Sequence, residues 1–308
     1  MSHLSQSSAL PHPSTGVATV LVVLAAIGFG TVPFFAKGLS EAGLPAHAVA
    51  FSRYALTAAV LLPFLRFGPG QLGATLWGIG AGAGLGLGWM GYVEALSRAP
   101  VSTVGVVYMT YPIFTLAVAW IFFGERPHRR ASIAAAMILA AAVIAMSPAL
   151  VGPEQVPALA LSLAAPLAFG VAINLLTRKL IVLKPLSRMA CTTLGSVLGL
   201  LPMFAGADVG AIAQTAFSNG WLIVGLAVAT ALVPQLIYTV NAPVIGSART
   251  AMAGSIELPT MFAVGWLAFA EPIGPIQLIA GAIVVAAIAL TPARAARGVA
   301  GSISMRPR

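Results

Sequence analysis

Residues Gly246–Glu271 read GSARTAMAGSIELPTMFAVGWLAFAE. The run is apolar or small for about 20 residues, enough to cross a bilayer. It encloses one carboxylate, Glu257, with Pro259 two residues further on. On a helix starting near Gly246, Glu257 falls roughly 15 Å along the axis, near the bilayer midplane. A charge at that depth costs about 2.5–3.5 kcal/mol on insertion scales, so it needs a partner, a water-filled cavity or a proton.

The composition fits such a stretch. The chain has 308 residues, 59% hydrophobic and 7% charged, where soluble domains carry about 25% charged residues. So few charges exclude a soluble surface and predict a polytopic, all-α membrane protein with the lipid bilayer as its first partner. The net charge of +9 does not read as nucleic-acid binding, because the basic residues sit in short loops between apolar runs rather than among aromatics. The lone Cys191 lies in an apolar run and excludes an intrachain disulfide or a cysteine zinc cluster. His3, His12, His47 and His128 show no ligand spacing. No cofactor and no metal is expected.

Ten spans are expected, near 17–37, 45–66, 71–97, 100–123, 130–148, 157–178, 186–205, 218–243, 247–270 and 273–292. Residues 1–16 are polar and read as a disordered N-terminus with no cleaved signal. Residues 293–308 form a basic tail. With the N-terminus in the cytoplasm, the inner loops and tail hold Arg66, Arg126, Arg129, Arg130, Arg178, Lys179, Lys184, Arg188, Arg249, Arg294, Arg297, Arg306 and Arg308. Lys37 and Arg98 fall outside and Arg53 falls within the second span. That bias predicts a multi-pass protein of the inner (plasma) membrane with both termini cytoplasmic.

The two halves echo one another. Ala25-Ala26-Ile27-Gly28-Phe29-Gly30 resembles Ala165-Pro166-Leu167-Ala168-Phe169-Gly170. Tyr92, Trp120, Phe123 and Glu125 recur at an offset of 146 as Tyr238, Trp266, Phe269 and Glu271. Span five ends Ser147-Pro148 and span ten ends Thr291-Pro292. The expectation is two five-helix repeats, 17–148 and 157–292. Five is odd, so the second copy enters from the opposite side. Many secondary transporters are built from such inverted repeats, with a site near the midplane.

Ten spans in two halves, with Phe122-Phe123-Gly124-Glu125 closing the fourth and Phe269-Ala270-Glu271 the ninth, resemble the EamA branch of the drug/metabolite transporter superfamily. Within it the chain looks most like YddG-type exporters of aromatic amino acids. The resemblance covers nearly all of residues 17–292. It implies a ten-helix bundle, a central cavity and export by alternating access.

Candidate site residues follow from depth and chemistry. Glu257 reads either as a carboxylate locking helices together or as a cavity group that binds a substrate ammonium or cycles a proton. Tyr111 stands at the corresponding place in the first half, with Tyr108 one turn away on the same face; phenols at that depth can bond a polar solute while packing on an aromatic one. Trp89, Tyr92 and Tyr238 join the candidates, although Trp89 and Tyr92 lean towards an interfacial belt. Arg53 is read as a snorkelling arginine or as a carboxylate binder in the cavity. Asn174 and Gln235 offer hydrogen bonds to helices or ligand. Phe34, with Phe29, Met109 and Phe169, is expected to line the cavity. Glu94 is expected to pair with Arg98. Pro33, Pro112, Pro166, Pro234 and Pro259 lie inside spans and can kink them where a gate would bend. The glycines from Gly78 to Gly91 predict close helix packing rather than a phosphate loop.

These readings predict a small-molecule exporter for amphipathic metabolites, aromatic or large neutral amino acids first, with a monomer sufficient. Drug cations, sugar nucleotides and polyamines are alternative solutes. A channel or a membrane enzyme is the less favoured class; the chain shows no catalytic constellation and no ATP motif.

Overall fold

The structure is a computed structural model that describes residues 13–66, 68–145 and 152–291. Most of the N-terminal segment, the Ser147-Pro148 end of the fifth span, Pro292 and the tail lie outside the described residues.

Among the described residues all regular structure is helical. Five stretches are long and apolar enough to cross a membrane: Thr15–Glu41, Ala46–Phe64, Val101–Phe123, Pro153–Arg178 and Gly220–Phe269. The last has 50 residues, more than twice the ~20 that one crossing needs. Length and hydropathy thus mark five stretches, the last long enough for two crossings, and do not by themselves establish ten. The remaining expected spans coincide with α4 (Leu72–Arg98), diluted by its glycines, and with α7 (Arg129–Ala145), α10 (Pro185–Leu200) and α15 (Pro275–Leu290), of 17, 16 and 16 residues.

The prolines explain why several stretches are broken. The first splits at Thr31 into α1 (Thr15–Gly30) and α2 (Val32–Glu41), with Pro33 in the first turn of α2. α5 (Val101–Tyr108) and α6 (Tyr111–Phe123) part at Met109-Thr110, just before Pro112. α8 (Val156–Ser162) gives way to α9 (Ala164–Arg178) before Pro166. Between α12 (Gly220–Ala227) and α13 (Val233–Gly254), residues Val228–Leu232 widen into a π-helical turn ahead of Pro234. α14 (Glu257–Phe269) starts two residues before Pro259. In each case the disruption lies within a turn on the N-terminal side, where the missing N–H and the ring displace the preceding carbonyls. One break comes from glycine: α13 bends at Gly246, whose φ of 78° and ψ of 163° are not helical.

The offset of 146 extends to the backbone. The break at Met109-Thr110 maps onto Ser255-Ile256, and α6 onto α14 residue for residue. Gly124 and Ala270 both end their helices in the left-handed region, at φ 67° and 53°. Glu125 N–H donates to Ala119 O as Glu271 N–H donates to Gly265 O, each at 3.0 Å. Ala270 is the one described non-glycine residue with positive φ. A side chain there costs about 1–2 kcal/mol, so Ala270→Gly is expected to raise the melting temperature by a few degrees, read by thermal unfolding in detergent.

Named contacts fix how helices run. A Cβ on Gly78, Gly82 or Gly86 of α4 would strike Cys191, Thr192 or Ser196 of α10 in ascending order, so these two helices are parallel. Gly88 meets Ala164 and Gly91 meets Leu161, so α4 runs antiparallel to α8–α9. Gly105 lies against Met261, while Tyr111 bonds to Ala251. The segments 101–123 and 247–269 are therefore antiparallel. α3 (Ala46–Leu61) packs beside α4 and α10.

One helix was not expected. α11 (Val209–Ser218), capped by Asp208 Oδ1 accepting from Ala211 N–H at 3.0 Å, follows the seventh expected span. Its mixed polar and apolar residues hide it from a hydropathy reading.

Candidate functional site

Seven aromatic rings meet in the interior. Phe29 (α1), Trp89 and Tyr92 (α4), Tyr108 (α5), Tyr111 (α6), Phe169 (α9) and Tyr238 (α13) are connected through centroid distances of 4.6–6.4 Å. Phe169 is the hub, touching Phe29, Tyr108, Tyr111 and Tyr238. The i, i+3 spacing of Tyr108 and Tyr111 survives the break between α5 and α6, with their rings 5.3 Å apart. Trp89 and Tyr92 are buried in this cluster, which corrects the belt reading. An indole at a lipid interface would face outwards, whereas α4 turns both residues towards α5.

Glu257 opens α14 and is 1% exposed. Tyr111 Oη donates to Ala251 O at 2.9 Å. A Cβ on Gly254 would sit 2.4 Å from Tyr111 Oη and 3.8 Å from Glu257 Oε1, so phenol and carboxylate converge on the bare glycine. Glu257 Oε1 and Tyr238 Oη are buried with no hydrogen-bond partner. Unpaired buried polar atoms are costly, a carboxylate oxygen most of all. A wall of rings with such an acceptor suits a ligand that brings a donor or a cation.

Arg53 does not snorkel. It is 4% exposed, with its guanidinium carbon 4.0 Å from the Trp89 ring centre and Nη2 donating to Thr230 O at 2.9 Å. The first half of α3 is too deeply packed for the stem to reach an interface. Gln235 lines two small cavities, of about 40 and 20 Å³. Volumes of that size hold at most a few waters, too little for a larger ligand with the side chains as they stand.

Three candidates stand apart. Phe34 is 37% exposed, against Phe35 and Trp221; the break at Thr31 carries it to the outer face, away from the chamber. Met109 is fully buried in the core. Asn174 bridges helices: its Nδ2 donates to Thr115 O and Gly170 O, both at 2.9 Å, and its Oδ1 accepts from Arg178 Nε at 3.3 Å. The expected Glu94–Arg98 pair forms at 2.6 Å on an exposed turn.

Two ion pairs were missed. Arg178 faces Glu125 at 2.7 Å, lies over Phe123 and donates to Ser247 Oγ at 3.0 Å. Lys37 lies over Phe269, 3.9 Å from Glu271, whose carboxylate accepts from Val101 N–H and from Ser102 N–H and Oγ. Phe123-Glu125 and Phe269-Glu271 are the repeated pairs, so the signal was present in the offset of 146. Because segments 101–123 and 247–269 are antiparallel, the two clusters lie at opposite ends of the chamber.

Residues 16–147 match the profile of the EamA-like transporter family. A comparison with curated proteins finds no match. Among solved structures, one described as "Crystal structure of protein" is similar with a TM-score of 0.68 and 17% identity, covering 89% of this chain and 96% of that chain. At that identity the likeness concerns the fold. The family match covers residues 16–147, and the apolar helices mark the chain as a multi-pass membrane protein.

Proposed function

We propose that the chain is an alternating-access exporter of aromatic or large neutral amino acids, of the YddG type. It is built from two inverted five-helix halves, 17–148 and 157–292, ten spans in all, around the aromatic chamber. It lies in the inner membrane with both termini cytoplasmic, and a monomer suffices. The inverted arrangement is supported by the antiparallel packing of segments 101–123 and 247–269 and by their matching breaks. The opposed Arg178–Glu125 and Lys37–Glu271 clusters would close the two ends in turn, and the proline breaks would serve as hinges.

The observation that carries the reading is the unpaired Glu257 Oε1 beside Tyr111, within an aromatic chamber. An α-ammonium would satisfy the carboxylate while an aromatic side chain packs on Phe29, Phe169 and Tyr238. The same carboxylate among rings favours amphipathic drug cations as the second reading. Competition binding on purified protein, with all twenty amino acids and a panel of amphipathic cations, separates them. Phenylalanine, tyrosine, tryptophan and leucine are expected to compete; displacement by the cations alone would overturn the amino-acid reading.

A further inference from the structure

Arg53 and Arg188 stand on α3 and α10, the second helical spans of the two proposed halves. Each follows a serine, Ser52-Arg53 midway along α3 and Ser187-Arg188 in the first turn of α10. By sequence position alone Arg188 falls among the loop cations. Each arginine lines a cavity: Arg53 the smaller, Arg188 the larger. The two cavities share Phe29, Leu85, Phe169 and Gln235 as a common wall.

Neither arginine touches a carboxylate among the described residues, and Glu257 acts on Arg53 only from beyond ion-pair distance. Arg53 Nε is buried without a hydrogen-bond acceptor, although the side chain is 4% exposed. Arg188 is held by carbonyls, Nε to Leu183 O at 2.8 Å and Nη2 to Ile181 O at 3.0 Å. It stands in the first turn of α10, where the helix dipole adds to its positive charge rather than opposing it. Two cations built into cavity walls, neither in ion-pair contact with a carboxylate, are arranged for an anion that arrives with the solute.

We propose that Arg53 and Arg188 are successive docking points for a carboxylate on the transported solute, one on each side of the Phe29–Phe169 wall. The inference rests on the transporter reading and specifies its solute class: a monocarboxylate with an apolar body. Glu257 then discriminates among such solutes, favouring those that also carry an ammonium. The carboxylate would meet one guanidinium as the chamber opens on one side and the other as it opens on the opposite side. Guanidinium forks suit that transfer, because they pair bidentately with a carboxylate and stay charged when dehydrated.

The test uses full-length protein in lipid nanodiscs and two matched probe pairs. L-phenylalanine is set against L-phenylalaninamide, and 3-phenylpropionate against 3-phenylpropionamide. The wild type is expected to bind the carboxylate of a pair about tenfold or more tightly than the amide. Arg53→Gln is expected to abolish that preference while holding amide affinity within about twofold, and Arg53→Lys to restore part of it. In proteoliposomes, Arg188→Gln should slow flux of the carboxylate and spare the amide. Equal loss of both members of a pair in Arg53→Gln would reduce Arg53 to packing on Trp89 and overturn the proposal, as would a wild type with no preference. Binding of 3-phenylpropionate without phenylalanine would keep the arginine sites and overturn the amino-acid reading instead.

Discussion

Glu257→Gln is expected to lower the affinity for an aromatic amino acid by about 10- to 100-fold, the worth of one hydrogen bond to a charged group. Folding should be unaffected. Glutamine is isosteric, and no described protein group bonds to Glu257 Oε1. The mutant should also lose any preference for phenylalanine over 3-phenylpropionate, since the ammonium would have lost its partner. Efflux from loaded proteoliposomes and the melting temperature are measured on the same preparation. Unchanged efflux would leave Glu257 a packing residue; lost efflux with a large drop in melting temperature would make it a structural lock.

Gly82→Ala is expected to have the largest effect on stability. Its Cβ would lie 1.9 Å from Thr192 O, and the partner change Gly195→Ala would put a Cβ 2.0 Å from Ile79 O. These are backbone atoms with no rotamer to yield, so α4 and α10 must separate. Separation also removes the 2.8 Å bond from Ser196 Oγ to Gly82 O. Overpacking of this kind costs about 1–3 kcal/mol, a fall of roughly 2–12 °C in melting temperature for a chain of this size. Gly80 and Gly84 provide the control, because a Cβ on either meets nothing within 4 Å. Equal melting temperatures for Gly82→Ala and Gly84→Ala would contradict the parallel α4–α10 contact.

The facing of Tyr108 and Tyr111 was legible because helical spacing survives a short break. The likeness of α6 and α14 was legible because Tyr92, Trp120, Phe123 and Glu125 keep one offset from their counterparts. Which way a side chain turns was not. Around Trp89, glycines lie on more than one face of α4, so no apolar stripe distinguishes interior from lipid. Arg53 has a stem long enough to reach either way, and only the packing of α3 against α4 and the Thr230 region decides. Phe34 was misplaced because the sequence showed Pro33 as a kink but not how far α2 would rotate. The partners of Glu125 and Glu271 escaped because Arg178 is 53 residues from Glu125 and Lys37 lies at the far end of the chain from Glu271. Hydropathy carries no record of such pairings.

In the proposed architecture, segments 101–123 and 247–269 are copies of one unit pointing opposite ways across the membrane. Cys191 is the only cysteine and is buried, so a Cys191→Ser background accepts single reporter cysteines at Arg129 and at Ile273. Labelling with a membrane-impermeant maleimide in spheroplasts and in inverted vesicles measures their sides directly. The Arg129 site is expected to label only from the cytoplasmic side and the Ile273 site only from outside. Labelling of both from one side would contradict it.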